Sequence, residues 1–172
     1  MPNFLYAAVI QDHEEIPRFA KGLELHEVWL RGPMLNMPRG QGASRLREQL
    51  HRRIGKDTQL GLYAWHYLTH RSEDPLPGRG TRTLTIDATS GPCGHLQDTP
   101  ACQSALEAST RALQELGGRT LVLATPSSMT PGSLGRRRLA GFFERCQGLD
   151  IDLVWEPTGL WTPNDIGSVL SG

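Results

Sequence analysis

The side chains best suited to chemistry in this chain are one carboxylate and two imidazoles. Glu156 stands in DIDLVWEPTGLW (residues 150–161), at the end of an apolar run and just before a Pro-x-Gly turn. His66 and His70 stand four residues apart in YAWHYLTH (residues 63–70). A carboxylate and an imidazole at hydrogen-bond distance can pass a proton to and from a bound substrate, so Glu156, His70 and His66 are the candidate catalytic residues. The competing reading is a carboxylate held by backbone N–H groups and histidines satisfied in a polar core. Arg31, Thr69, Thr125, Ser127, Ser128, Trp155 and Trp161 fall at or just beyond the ends of apolar runs and are the candidate substrate-binding residues. Ser127 and Ser128 follow Pro126 without the GxSxG pattern of a nucleophile elbow. Histidines four apart form a zinc-binding face when they lie on a helix. Here they are expected where a strand runs into a loop, with no cysteine or acidic cluster beside them, so no metal and no cofactor is expected.

Composition narrows the classes. Eighteen basic residues balance 18 acidic ones, which removes any global attraction to nucleic acid or an anionic membrane. The basic residues are arginines apart from Lys21 and Lys56. Arg45, Arg47, Arg52 and Arg53, and the run Arg136-Arg137-Arg138, lie on segments with their own apolar stripe. They read as solvated helix faces, with a phosphate-contacting surface as the sharper alternative. Cys93, Cys102 and Cys146 have neither CxxC spacing nor an even count, as expected for reduced thiols in a cytoplasmic protein. No apolar run approaches the roughly 20 residues of a membrane span. The opening MPNFLYAAVIQDHEE lacks the basic start of a signal peptide.

These candidates need elements to position them. Apolar runs predict strands at residues 4–10, 25–30, 60–68, 120–125 and 151–155. Amphipathic spacing predicts helices at 12–22, at 44–56 with Ser44 as its cap, from Thr99-Pro100 to Gly117-Gly118, at 133–147, and after Thr162-Pro163. Strands apolar on both faces and separated by helices imply a parallel sheet, whose functional residues gather at the carboxyl ends of the strands. Alternation sets Asp152, Val154 and Glu156 on one face of the last strand. On the third strand it groups His66 with Leu62 and Ala64, so Glu156 and His66 are expected to share the inner face. The long connection at residues 71–98 contains TRTLTID (81–87), a candidate extra strand.

Four stretches resemble the DUF72 family, also called the YecE-like family, a group of TIM-barrel-like proteins of unsettled activity. YAWHYLTH is similar to that family's KAWQLITH-type strand end. GHLQDTPACQSAL (94–106) resembles its approach to a helix. LVLATPSSMTP (121–131) followed by LAGFF (139–143) is similar to its FQTPPSFTPT segment and the Phe-Phe beyond it, and WEPTGLW (155–161) resembles its WEPRGxW. Thr69, His70, Thr125, Pro126, Trp155, Glu156, Pro157, Gly159 and Trp161 match. Tyr63 stands for the family's Lys, Ala124 for its Gln and Thr158 for its Arg, so several polar positions are lost.

A complete eight-unit barrel takes about 250 residues, and 172 are present. The resemblance therefore implies a single domain over residues 1–172, a C-terminally short member. It would be a partial TIM-barrel-like (β/α) arc of about five parallel strands with helices outside. An arc leaves two sheet edges, which a homo-oligomer or another protein partner is expected to cover. The function expected from this is a scaffold, non-catalytic or weakly active and working in an oligomer. Two alternatives stand beside it: a metal-independent hydrolase acting on a phosphorylated or nucleic-acid substrate through Glu156 and a histidine, and a nucleic-acid binder using the Arg-rich helices.

Overall fold

The structure, a computed structural model, describes residues 7–12, 14, 16, 25–75 and 91–171. Five strands lie side by side in chain order: β1 (Ala7–Ile10), β2 (Glu27–Leu30), β3 (Gln59–Tyr63), β4 (Thr120–Ala124) and β5 (Asp152–Glu156). Every neighbouring pair is parallel. The helices are α1 (Gln41–Ile54), α2 (His66–Thr69), α3 (Pro100–Leu116), α4 (Ser133–Cys146) and α5 (Pro163–Leu170). Strand order never reverses, so successive units wind one way round, as in a β/α barrel and unlike a doubly wound sheet, whose order turns back at a switch point.

Alternation along the strands sorts the two faces. Val28, Leu30, Leu60, Leu62, Leu121 and Leu123 point outward and are almost wholly buried against Leu50 and Ile54 of α1, Leu113 and Leu116 of α3, and Leu139 and Phe142 of α4. The opposite, inner face carries a smaller cluster: Met34, Tyr63 and Val122, with Trp29, Ala124 and Val154 packed around them. Gly61 also lies on the inner face, where a Cβ would meet the Trp29 ring at 2.5 Å. Only glycine there leaves room for the indole. Burial falls away towards the edges: β2, β3 and β4 are mostly buried, whereas Ala7 and Val9 on β1 are exposed.

Helix ends follow local chemistry. The Thr99 side chain accepts from the Cys102 N–H, Pro100 occupies the first turn, and Gly117 closes α3 in the left-handed region, as the Thr-Pro and Gly-Gly punctuation predicts. Thr162 and Asp165 form a reciprocal capping box at the start of α5. Among the described residues no helix is long and apolar enough to cross a membrane. All three cysteines are free.

Three expectations need correction. Ser44 does not cap α1, because the helix starts earlier, at Gln41, from Gly40 with φ of 49°. The third strand stops at Tyr63 instead of continuing to 68, and the next residues turn into α2. There the Trp65 N–H donates to Ser109 Oγ on α3 at 3.0 Å, and Trp65 and Leu68 enter the outer core together. An aromatic, strand-like sequence is thus folded as one helical turn because burial at i and i+3 is available to it. The face assignment of His66 fails for the same reason: Leu62 and Ala64 face the helices, and it is Tyr63 that lies on the inner side with Glu156. The expected helix at 12–22 and the TRTLTID strand fall largely or wholly outside the described residues.

Candidate functional site

Three strand ends bring one polar cluster together. Arg31 follows β2 directly, its N–H still bonded to the Ile10 carbonyl as a continuation of the ladder. Tyr63 ends β3 and Glu156 ends β5. Arg31 Nη2 donates to Glu156 Oε1 at 2.7 Å and Oε2 at 3.0 Å, and to Tyr63 Oη at 2.9 Å. The Tyr63 hydroxyl in turn donates to Glu156 Oε2 at 2.5 Å. The guanidinium carbon also lies 4.6 Å from the centre of the Tyr63 ring, within cation–π range. Burial and then the hydrogen bond to Glu156 push the phenol up to about 12. Burial works against the charge on Arg31, yet Tyr63 and Glu156 together outweigh it and raise its pKa. The unit is a fixed carboxylate–guanidinium–phenol cluster with no net charge.

The histidines belong to a different network. His66 Nδ1 donates to the Met34 carbonyl at 2.9 Å, and His70 Nδ1 lies 2.8 Å from Thr69 Oγ1. Among the described residues, the hydrogen bonds to the Glu156 carboxylate come from Arg31 and Tyr63, so the expected Glu–His pair is replaced by a Glu–Arg–Tyr cluster. Burial lowers the pKa of His66 and lowers that of His70 to about 4, which keeps both imidazoles neutral at pH 7. His66 and His70 do flank a helical turn, yet among the described residues no group of three or more His, Cys, Asp or Glu side chains is arranged to hold a metal.

Two residues that sequence reading passed over, Asp74 and His95, join Ser128. The His95 Nε2 lies 3.0 Å from Asp74 Oδ2 and 3.0 Å from Ser128 Oγ, and the Ser128 hydroxyl donates to Asp74 Oδ1. The residue types are those of a Ser–His–Asp triad, but the connectivity is not. In a triad the carboxylate holds one imidazole nitrogen and the serine uses the other. Here both act on the same nitrogen, and the serine hydroxyl donates its hydrogen bond to the carboxylate instead of the imidazole. Burial lowers the His95 pKa. Burial would raise that of Asp74, but its hydrogen bonds to Ser128 and the Arg71 N–H, with His95, outweigh this and lower it. The group clasps residues 71–74 and 94–96 to the loop after β4. Its backbone tolerates no side chain at 94, where a Cβ on Gly94 would lie 2.3 Å from the His70 carbonyl group.

The remaining candidates interlock with one another. Trp155 Nε1 donates to Thr125 Oγ1 at 3.1 Å, Thr158 Oγ1 to the Thr125 carbonyl at 2.7 Å, and Trp161 Nε1 to the Met129 carbonyl at 2.6 Å. The two indoles meet edge to face at 4.9 Å. Thr69, Thr125 and Trp161 are buried, while Ser127 is exposed. WEPTGLW is thus tied to TPSSM as a brace across the ends of β4 and β5. The arginines of the two basic helices mostly engage their own chain: Arg53 the Ile16 carbonyl, Arg136 Asp165, Arg138 Gln97, and Arg145 the Leu96 carbonyl.

No family model matches the chain, and no curated protein matches it. Among solved structures it is similar to the crystal structure of D-psicose 3-epimerase in the presence of D-fructose, with a TM-score of 0.51 at 9% sequence identity. The alignment covers 98% of this chain and 59% of that one. The likeness is one of fold: a partial TIM-barrel-like arc of five parallel strands with helices outside.

Proposed function

We propose that this chain is a DUF72-like β/α scaffold, non-catalytic or weakly active, that works in the cytoplasm as part of a homo- or hetero-oligomer. The observation that carries this reading is the open sheet: among the described residues β1 and β5 each have a strand neighbour on one side only. Val9 on β1 is 48% exposed. Parallel sheets are ordinarily covered on both faces, and uncovered edges invite pairing. The chemistry of the rim favours the same reading. Glu156 is tied to Arg31 and Tyr63. The histidines are buried and held neutral, and the Ser128 hydroxyl is engaged as a hydrogen-bond donor to the Asp74 carboxylate. Sedimentation velocity over a concentration series tests it. A species of at least twice the mass of one chain, or one that captures a second protein in stoichiometric amount, is expected. A monomer at all concentrations that also turns over a substrate would replace this reading with the hydrolase alternative.

A further inference from the structure

We propose that the inner rim formed by Arg31, Tyr63 and Glu156, with Trp29 beside it, is a binding site for a small neutral polyhydroxylated ligand of the monosaccharide class, gripped through a vicinal diol. The side chains of Arg31 and Glu156 are 36% and 38% exposed, so the cluster is reachable from solvent. An ion pair at that exposure contributes little to stability, which gives the fold little reason of its own to gather these groups from three strand ends. The carboxyl ends of parallel strands are where β/α folds place ligands.

Charge selects the ligand class. A free anion would have to strip Glu156 from Arg31, at 2.7 Å, and a free cation would have to strip Arg31 from Glu156. Either exchange gives up one charge-assisted contact to make another. A neutral diol exchanges nothing. One hydroxyl donates to the fixed carboxylate while its neighbour accepts from the guanidinium, and hydrogen bonds to charged partners are stronger than neutral ones. Tyr63 Oη fixes the carboxylate orientation from the other side. The apolar part of such a ligand also has a place. Trp29 precedes Arg31 by two residues on the same strand face, and its ring takes the space that a side chain at Gly61 would fill. Trp29, Ala124 and Val154 are only partly buried and offer a surface for the C–H groups of a sugar ring. Among the described residues the buried Trp29 Nε1–H has no hydrogen-bond partner, and its resonance serves as a reporter on changes around the cluster.

The test follows the indole N–H signals of the full chain by 1H–15N spectroscopy, with that of Trp29 assigned by Trp29→Phe. D-fructose, D-glucose and D-ribose serve as neutral probes, inorganic phosphate as the anionic probe and ethanol as the monohydric one. At least one sugar is expected to move the Trp29 signal saturably in the millimolar range, with phosphate and ethanol inert. The apparent affinity is expected to fall about tenfold or more in Arg31→Met and in Glu156→Gln. The Trp155 and Trp161 signals, held by Thr125 and Met129, show in each variant whether the fold survives, and either folded variant decides the matter. No saturable shift with any sugar up to about 100 mM, a weaker limit than any useful site, would overturn the proposal. So would saturation by phosphate alone, or unchanged sugar affinity in a folded Arg31→Met or Glu156→Gln. Association state is read separately by sedimentation, so failure of one proposal leaves the other standing.

Discussion

Tyr63 stands where the resemblance places a lysine, and the substitution reads as the loss of a polar group; in the fold its hydroxyl is returned to the site through Glu156. Its raised pKa makes a test. The unfolded phenol ionises near its ordinary 10 and the folded one at about 12. Between those values the unfolded chain gives up its proton first, so stability is intact below pH 10 and falls as pH rises to 12. Absorbance titration should find one of the three tyrosines ionising about two pH units late, and Tyr63→Phe should abolish both that step and the alkaline loss of stability. His70 gives the acid-side counterpart. Burial lowers its folded pKa to about 4, so below the ordinary 6.5 the unfolded state binds a proton that the native state refuses. Stability is present above 6.5 and falls as pH drops towards 4, with a slope of up to roughly 1.4 kcal/mol per pH unit from this one group. Urea unfolding of His70→Gln, measured across that window, should show a flatter dependence than the wild type. The carboxylate and guanidinium of the site were legible in the sequence as polar residues at strand ends. Tyr63 was hidden inside an apolar run, and Asp74 and His95 inside a loop whose path only the packed chain reveals.

At the scale of elements, Ser109 decides where β3 ends. Its hydroxyl accepts from the Trp65 N–H and donates to the Ala105 carbonyl at 2.7 Å, and the residue is fully buried. Ser109→Ala should leave the Trp65 N–H buried without a partner, at a cost of about 1–3 kcal/mol, read as a lower denaturant midpoint with an unchanged slope. Larger effects would mean that α2 itself is lost. Caps and strand cores were well marked in the sequence, as at Thr99, Gly117 and Thr162, because those signals are satisfied within a few residues. The turn at Trp65–Leu68 was not, because its hydrogen bond reaches across 44 residues to α3.

For the whole molecule the question is the open edge. Val9 is an exposed apolar residue on the inner side of β1, and a lysine there is a common natural guard against edge pairing. If the β1 edge is the contact, Val9→Lys should lower the mass seen by sedimentation to that of one chain while changing unfolding free energy by no more than about 0.5 kcal/mol. A variant that stays associated would move the contact to the β5 side, where Leu153, Val154 and Trp155 are partly exposed.

By itself the sequence determined the repeating strand–helix pattern, the parallel sheet and the gathering of Arg31, Thr125 and Glu156 at strand ends, since each depends on hydrophobic period and local capping. Which side chains meet was decided by tertiary structure alone. Whether Glu156 faces an imidazole or a phenol turns on a single step of strand register and on where β3 gives way to a helix. That step is settled by contacts with α3 and the neighbouring strands, which lie far away along the chain.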